Sequence, residues 1–203
     1  LSLRNGGKRW CVKLIEGDWP SVAMADLDGD GRADCVASVP HKGLFAVSGV
    51  DGRGLWDVPM DCLPYPYALA DLNGDGTMDL VAVDVEGGVH AFSGSNGASL
   101  WSTRLGRREF FTPRLADADG DGVADCLIAA HQGGIHLLSG RDGTPLWHAD
   151  SGEQMCPAFG DIDGDGRPEV VVAEKNRAVR VLRLPRTFSP APLARLRRMR
   201  LWP

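Results

Sequence analysis

Four stretches of the 203-residue sequence crowd carboxylates together: ADLDGDGRADCVA at 25–37, ADLNGDGTMDLVA at 70–82, ADADGDGVADCLIA at 116–129 and AFGDIDGDGRPEVVVA at 158–173. Aligned, they read D-x-[DN]-G-D-G-x-x-[DE], with side-chain oxygens at positions 1, 3, 5 and 9. The first two copies supply Asp26, Asp28, Asp30 and Asp34, then Asp71, Asn73, Asp75 and Asp79. The last two supply Asp117, Asp119, Asp121 and Asp125, then Asp161, Asp163, Asp165 and Glu169. The main-chain carbonyls of Arg32, Thr77, Val123 and Arg167, at position 7, extend each set. Calcium takes roughly six to eight hard oxygen ligands, and a loop offering an oxygen at alternate positions wraps it well. Glycines at positions 4 and 6 allow the positive φ that curls the chain around an ion.

A single Asp-Gly pair, such as Asp51-Gly52 or Asp142-Gly143, reads as a turn and nothing more. A five-position pattern in four copies asks for a different reason. Carboxylates held this close repel and raise one another's pKa, and a divalent cation removes the conflict. Up to four Ca²⁺ are therefore expected. The loop is not an EF-hand, which needs a bidentate Glu at position 12. Position 12 here is Ala37, Ala82, Ile128 and Val172, so the last acid has moved to position 9 and the loop joins two strands.

The elements that position these loops repeat with them. From Asp26 to Asp71, Asp117 and Asp161 the steps are 45, 46 and 44 residues. A second motif keeps the same period: SGVDGRGLW ends at Trp56, SGSNGASLW at Trp101 and SGRDGTPLW at Trp147. NGGKRW ends at Trp10, so the chain is expected to open inside a repeat, with residues 1–15 as the last strand of a preceding blade. Within one period four short strands are legible. A small-residue strand precedes the acidic loop, and an apolar strand (DCVASV, DLVAVD, DCLIAA, EVVVAE) follows it. A third strand (LFAVSG, VHAFSG, IHLLSG) and one led by the tryptophan complete the unit. No segment before residue 190 has helical periodicity, which makes the protein all-β.

Four strands in about 45 residues is the signature of a β-propeller blade. Alanines on the first strand (Ala23, Ala25, Ala68, Ala70, Ala116) suit crowding near the axis, and the tryptophan suits contact between blades. The blades fall at about 21–61, 67–106, 112–150 and 158–184, within a region spanning 16–184, and are expected to be part of a larger propeller. A strand at 8–15 completing the fourth sheet and closing a four-bladed ring is the rival arrangement.

Charge is uneven. Residues 1–176 carry 14 Lys and Arg against 27 Asp and Glu, a balance of −13, whereas residues 177–203 carry eight Arg and no acid. Four Ca²⁺ would bring the body from −13 to −5. The divergent basic tail at 185–203 contains LARLRRMRLW, of a kind that touches acidic lipids or nucleic acid, but ten residues are marginal as an isolated helix. No nucleic-acid partner is expected. No run of about 18 apolar residues is present, so no membrane span is expected. Cys11, Cys35, Cys62, Cys126 and Cys156 are odd in number and include no CxxC pair. Cys35 and Cys126 share a repeat position with Leu80 and Val170 and are expected to pack as small apolar residues.

On the repeated acidic loop, the period and Phe159-Gly160 ahead of the fourth loop, the sequence resembles the FG-GAP (integrin α-subunit N-terminal-like) repeats over residues 5 to about 184. The resemblance implies a calcium-binding β-propeller, often found in extracellular or cell-surface proteins that bind other proteins or glycans. A non-catalytic binding module with a protein or glycan ligand is the expected function, with an extracellular or cell-surface location. Its contact loops are sought in GRREFFT (106–112) and LPYPY (63–67). The alternative is an accessory or scaffold domain of a secreted calcium-dependent carbohydrate-active enzyme. His41, His90, His131, His136 and His148 form no nucleophile elbow or metal-ligand pattern, no GxSxG is present, and His90 and His136 share one strand position. No catalytic residue is therefore assigned.

Overall fold

The structure is a computed structural model, and it describes residues 10–14, 21–106, 111–130, 134–150, 157–173 and 178–188, without the side chains of 62–66. Residues 107–110 of one candidate contact loop, His131, Cys156 and the tail beyond 188 lie outside the described residues.

Among the described residues, fifteen strands form four antiparallel sheets, each in sequence order. The first holds β1 (Ser21–Ala25), β2 (Asp34–Val39), β3 (Gly43–Val47) and β4 (Gly54–Val58). The second holds β5 (Cys62–Ala70), β6 (Asp79–Asp84), β7 (Gly88–Phe92) and β8 (Ser99–Arg104). The third holds β9 (Arg114–Ala116), β10 (Asp125–Ala130), β11 (Gly134–Leu138) and β12 (Pro145–Ala149). The fourth, with β13 (Ala158–Gly160), β14 (Glu169–Ala173) and β15 (Val179–Leu182), has three strands among the described residues. The sheets approach one another through their first strands, β1 to β5, β5 to β9 and β9 to β13. This places the alanine-rich strands innermost, as in a β-propeller.

The second strands of the second and third blades are buried on both faces, which is why they read as continuous apolar runs rather than an alternation. Val81 and Val83 of β6 enter a core with Cys126, Ile128 and Ala130 of the third blade. Leu80 and Ala82, on the other face of the same strand, pack with Val36, Leu44 and Ala46 of the first blade. Leu127 and Ala129 meet Val170 and Val172 of the fourth. Three cores of one pattern thus lie between four sheets. Cys126 is fully buried in one of them, and its thiol is pushed up to about 12 by burial. Cys11, Cys35 and Cys126 are free thiols.

The second blade begins earlier than the repeat spacing predicts. β5 starts at Cys62 and takes in LPYPY, with a register shift between Cys62 and Tyr67. Pro64 and Pro66 lack an N–H, and the irregularity carries them along the strand without a ladder hydrogen bond from either.

Neighbouring blades are also joined by one repeated polar contact. Nε1–H of Trp56 donates to the Gly94 carbonyl at 2.6 Å, and that of Trp101 to the Gly140 carbonyl at 2.7 Å. Trp10 donates likewise to the Gly49 carbonyl at 3.0 Å, although residues 10–14 are not in a strand. Each acceptor glycine belongs to the Ser-Gly pair after the third strand. A Cβ at Gly49, Gly94 or Gly140 would stand 1.8, 1.9 and 1.9 Å from the carbonyl oxygens of Ala33, Met78 and Ala124. No side chain fits there. Replacing Gly94 by Ala should lower stability in urea by more than about 2 kcal/mol, because backbone must move. Gly74, at φ 77° with open space around its Cβ position, should cost only about 1 kcal/mol on the same change. Equal losses for the two variants would refute the steric argument.

Candidate metal centres

Each acidic loop lies between the first and second strands of its blade. Its first carboxylate is satisfied by the loop itself: Asp26 Oδ1 accepts the Gly29 N–H and Oδ2 the Gly31 N–H, both at 2.8 Å. Asp71, Asp117 and Asp161 repeat these two bonds at 2.7 to 3.0 Å. Position 3 accepts the N–H of position 5, and position 5 accepts the N–H of position 7, as in Asp28 to Asp30 to Arg32. The glycines at 4 and 6 adopt positive φ in all four loops. So the turn chemistry read as an alternative is present too, and the same oxygens serve it.

Position 9 behaves differently. Asp34, Asp79, Asp125 and Glu169 are buried, at 0, 0, 1 and 4% exposure, whereas the rest of each acidic set is more open. Asp34 Oδ2 accepts the N–H groups of Leu27 at 2.9 Å and Asp28 at 3.3 Å, and its Oδ1 accepts that of Gly49 at 3.0 Å. Asp79 holds Leu72, Asn73 and Gly94 in the same way. Asp125 holds Ala118, Asp119 and Gly140. One side chain therefore ties the start of the acidic loop to the Ser-Gly turn 15 residues later. Sequence reasoning placed this residue in the ligand set and missed its structural work. The fixed Gly after Ser was the available signal.

In the fourth blade Glu169 takes the Ile162 N–H at 2.9 Å, Leu184 stands where the other blades have that Gly, and Gly160 pairs opposite Glu169 where they have Ala. A longer acid, a larger turn residue and a smaller cross-strand neighbour occur together.

In the first, third and fourth loops, oxygens of positions 1, 3 and 9 lie within 4.8 Å of one another: Asp26, Asp28 and Asp34; Asp117, Asp119 and Asp125; Asp161, Asp163 and Glu169. Position 5 is not part of these groups. The second loop carries Asn73, whose Nδ2 donates to Asp75 at 3.1 Å and Asp79 at 3.4 Å, so one charge is replaced by an internal hydrogen bond. Arginines from the Ser-Gly hairpin side neutralise part of the other three: Arg53 to Asp28 at 3.0 Å, Arg141 to Asp121 at 2.9 Å, and Arg183 to Asp163.

Burial dominates the electrostatics of Asp79 and Asp125. Desolvation pushes Asp125 up from 3.8 to about 6 despite its three backbone hydrogen bonds, and raises Asp79 as well. Asp75 is held low by the hydroxyl and N–H of Thr77. At Asp121 desolvation acts upward, and the Val123 N–H with Arg141 outweighs it to hold the carboxyl below its ordinary range. Among the histidines, His90 Nε2 pairs with Asp84 at 2.9 Å, and the His136 and His148 rings lie 4.6 Å apart across β11 and β12.

If position 9 is a structural clamp, Asp34→Ala should destabilise the protein by more than about 2 kcal/mol in chelator, since three backbone donors lose their acceptor. Asp30→Ala removes one exposed bond and should cost under about 1 kcal/mol. Chemical denaturation in EDTA checks the pair, and similar losses would remove the distinction.

A comparison with curated proteins finds no match. Among solved structures, the computationally designed Ika4 protein superposes with TM-score 0.62 at 17% identity, over 89% of this chain and 99% of that one. BBS1N, solved in complex with ARL6DN, gives TM-score 0.62 at 16% identity over 85% of this chain and 48% of its own. BamB from Moraxella catarrhalis gives 0.50 at 17% identity over 75% and 47%. The chain thus spans about half the length of the last two. The profile of the FG-GAP-like repeat matches residues 71–128 and 117–172, which together make up half of the chain. With the propeller architecture, the loop geometry and this match in hand, the chain belongs to the FG-GAP-like repeat family.

Proposed function

We propose that this propeller is a non-catalytic binding module that takes Ca²⁺ in its acidic loops and presents neighbouring loops to a protein or glycan outside the cell. The convergence of three carboxylates within 4.8 Å, in three loops of one geometry, supports this reading best. The donors are all oxygen, which suits a hard cation such as Ca²⁺ and not zinc or copper. Asp26, Asp28 and Asp34, Asp117, Asp119 and Asp125, and Asp161, Asp163 and Glu169 would hold the ion. Bound cation supplies charge neutralisation and stiffens the loop by linkage to folding. The loops are exposed and their arginines must yield to the ion, so affinities in the roughly 0.1 to 1 mM range of extracellular modules are expected.

Calcium titration should raise the melting temperature, and calorimetry should count three or four sites. Asp119→Asn, which keeps the turn's hydrogen-bond acceptor, should remove one site without lowering the melt in EDTA. An unchanged melt in 5 to 10 mM Ca²⁺, about tenfold above those affinities, would refute the cation reading. Retention on immobilised polysaccharide or matrix protein that is lost in EDTA would support the binding role, and retention indifferent to EDTA would separate the two.

The raised pKa of Asp125 gives a pH dependence with a definite sign. Between 3.8 and about 6 the folded, metal-free protein holds a proton that the unfolded chain has released. This group's contribution therefore favours folding at low pH and is lost as pH rises across that window. Cation binding opposes it, because the carboxylate must be ionised. Calcium affinity at the third loop should fall below about pH 6 with proton release on binding. Calorimetry in buffers of different ionisation enthalpy at pH 5.5 and 7.5 checks this.

A further inference from the structure

Two histidines that stand 12 residues apart in the chain meet in the third sheet. His136 of β11 and His148 of β12 are directly opposed across the ladder, and their rings lie 4.6 Å apart at an interplanar angle of 38°. His136 is buried. Ile128, its partner on the other side, packs in the core shared with Val81 and Val83, so the histidine pair lies on the face turned toward the second blade. His148 Nε2 is buried and, among the described residues, has no hydrogen-bond partner. The Asp150 carboxylate stands 3.6 Å from it, beyond hydrogen-bond range, on a side chain that is 73% exposed. Gly134, at the head of β11, leaves the space beside that nitrogen open, since a Cβ there would stand 2.9 Å from it.

The second blade shows the closed form of this arrangement. His90 occupies the place of His136, and its Nε2 is taken at 2.9 Å by the Asp84 carboxylate, whose other oxygen accepts the Glu86 and Gly88 N–H groups. The third blade has Ala130 where the second has Asp84, and His148 where the second has Ser102. A carboxylate has gone and a second imidazole has come, so two rings face one another where the second blade holds a completed His-Asp pair. An imidazole ligates zinc at about 2.0 to 2.1 Å, so two rings that share one ion stand close together, as these do. Nitrogen donors with one carboxylate suit a transition ion such as Zn²⁺ and not Ca²⁺. We propose that His136 and His148, with Asp150 swung in as a third donor, bind a divalent transition ion such as Zn²⁺ and so clip the outermost strand of the third blade to its neighbour. The site lies at the far end of the sheet from the acidic loop, because Gly134 pairs with Ala130 at the end of β10 and the loop precedes the start of that strand. It does not depend on the cation reading of the acidic loops.

Thermal melts of the 203-residue chain with ZnCl₂ test the inference, with Ca²⁺ present at about 10 mM to occupy the acidic loops. Zinc at about 100 µM, roughly a hundredfold above a micromolar dissociation constant, should raise the melting temperature by mass action, and calorimetry should count one ion. His148→Gln should abolish the response. Asp150→Asn changes an exposed side chain, should leave the zinc-free melt unaltered, and should weaken zinc binding by about tenfold or more. His90→Gln, in the second blade, should leave zinc binding unchanged. Histidine-ring NMR of the unmutated chain supplies a readout independent of any variant's folding: zinc should shift the His136 and His148 ring signals and not those of His90. A melt indifferent to zinc overturns the proposal. So does a zinc response that survives His148→Gln or that Asp119→Asn removes instead, and so do unmoved ring signals of His136 and His148.

Discussion

A buried carboxylate at the head of each second strand organises the blade around it. Asp34, Asp79 and Asp125 each gather two N–H groups from the acidic loop and one from the glycine of the Ser-Gly turn. The carbonyl of that same glycine then receives the indole N–H of the preceding tryptophan: Trp10 at Gly49, Trp56 at Gly94 and Trp101 at Gly140. One glycine peptide is thus held from within the blade on one side and from the neighbouring blade on the other. A buried, ionisable group is costly unless its lone pairs are used, and here both oxygens are used on backbone donors. The acidic loop and the blade interface are consequently parts of one hydrogen-bonded chain.

This arrangement gives the acids of a loop two separate duties. Positions 1, 3 and 5 fold the loop by accepting its own N–H groups, and positions 1, 3 and 9 are the ones whose oxygens converge. The loop is therefore shaped without a cation, held by internal bonds and by arginines that neutralise Asp28, Asp121 and Asp163. The fourth blade shows how far the scheme can vary. With Leu184 in place of the glycine, the turn loses the close backbone approach, and Glu169 reaches the loop from a longer stem.

Much of this was legible in the residues themselves. The period of the acidic loops and of the tryptophans predicted four sheets, and the apolar runs after the acidic loops located β2, β6, β10 and β14. The Ser-Gly pair was read only as the end of the third strand. Nothing along the chain says that Gly94 lies against the carbonyl of Met78, because that approach joins residues 16 apart. The extension of β5 through two prolines was likewise hidden, since a sequence rule demotes such a stretch and only the register shift accommodates it.

By itself the sequence determined the unit: which residues alternate, where the chain must turn with positive φ, and which oxygens stand at alternate positions of one short loop. These are properties of consecutive residues, set by backbone geometry and side-chain chemistry. The tertiary structure alone decided which of those oxygens face one another and which hold the backbone, and it sorted position 9 from positions 1 and 3 by burial. It also decided which carbonyl each indole meets and which two imidazoles face one another. Those outcomes depend on how one strand or sheet lies against the next, which consecutive residues do not state.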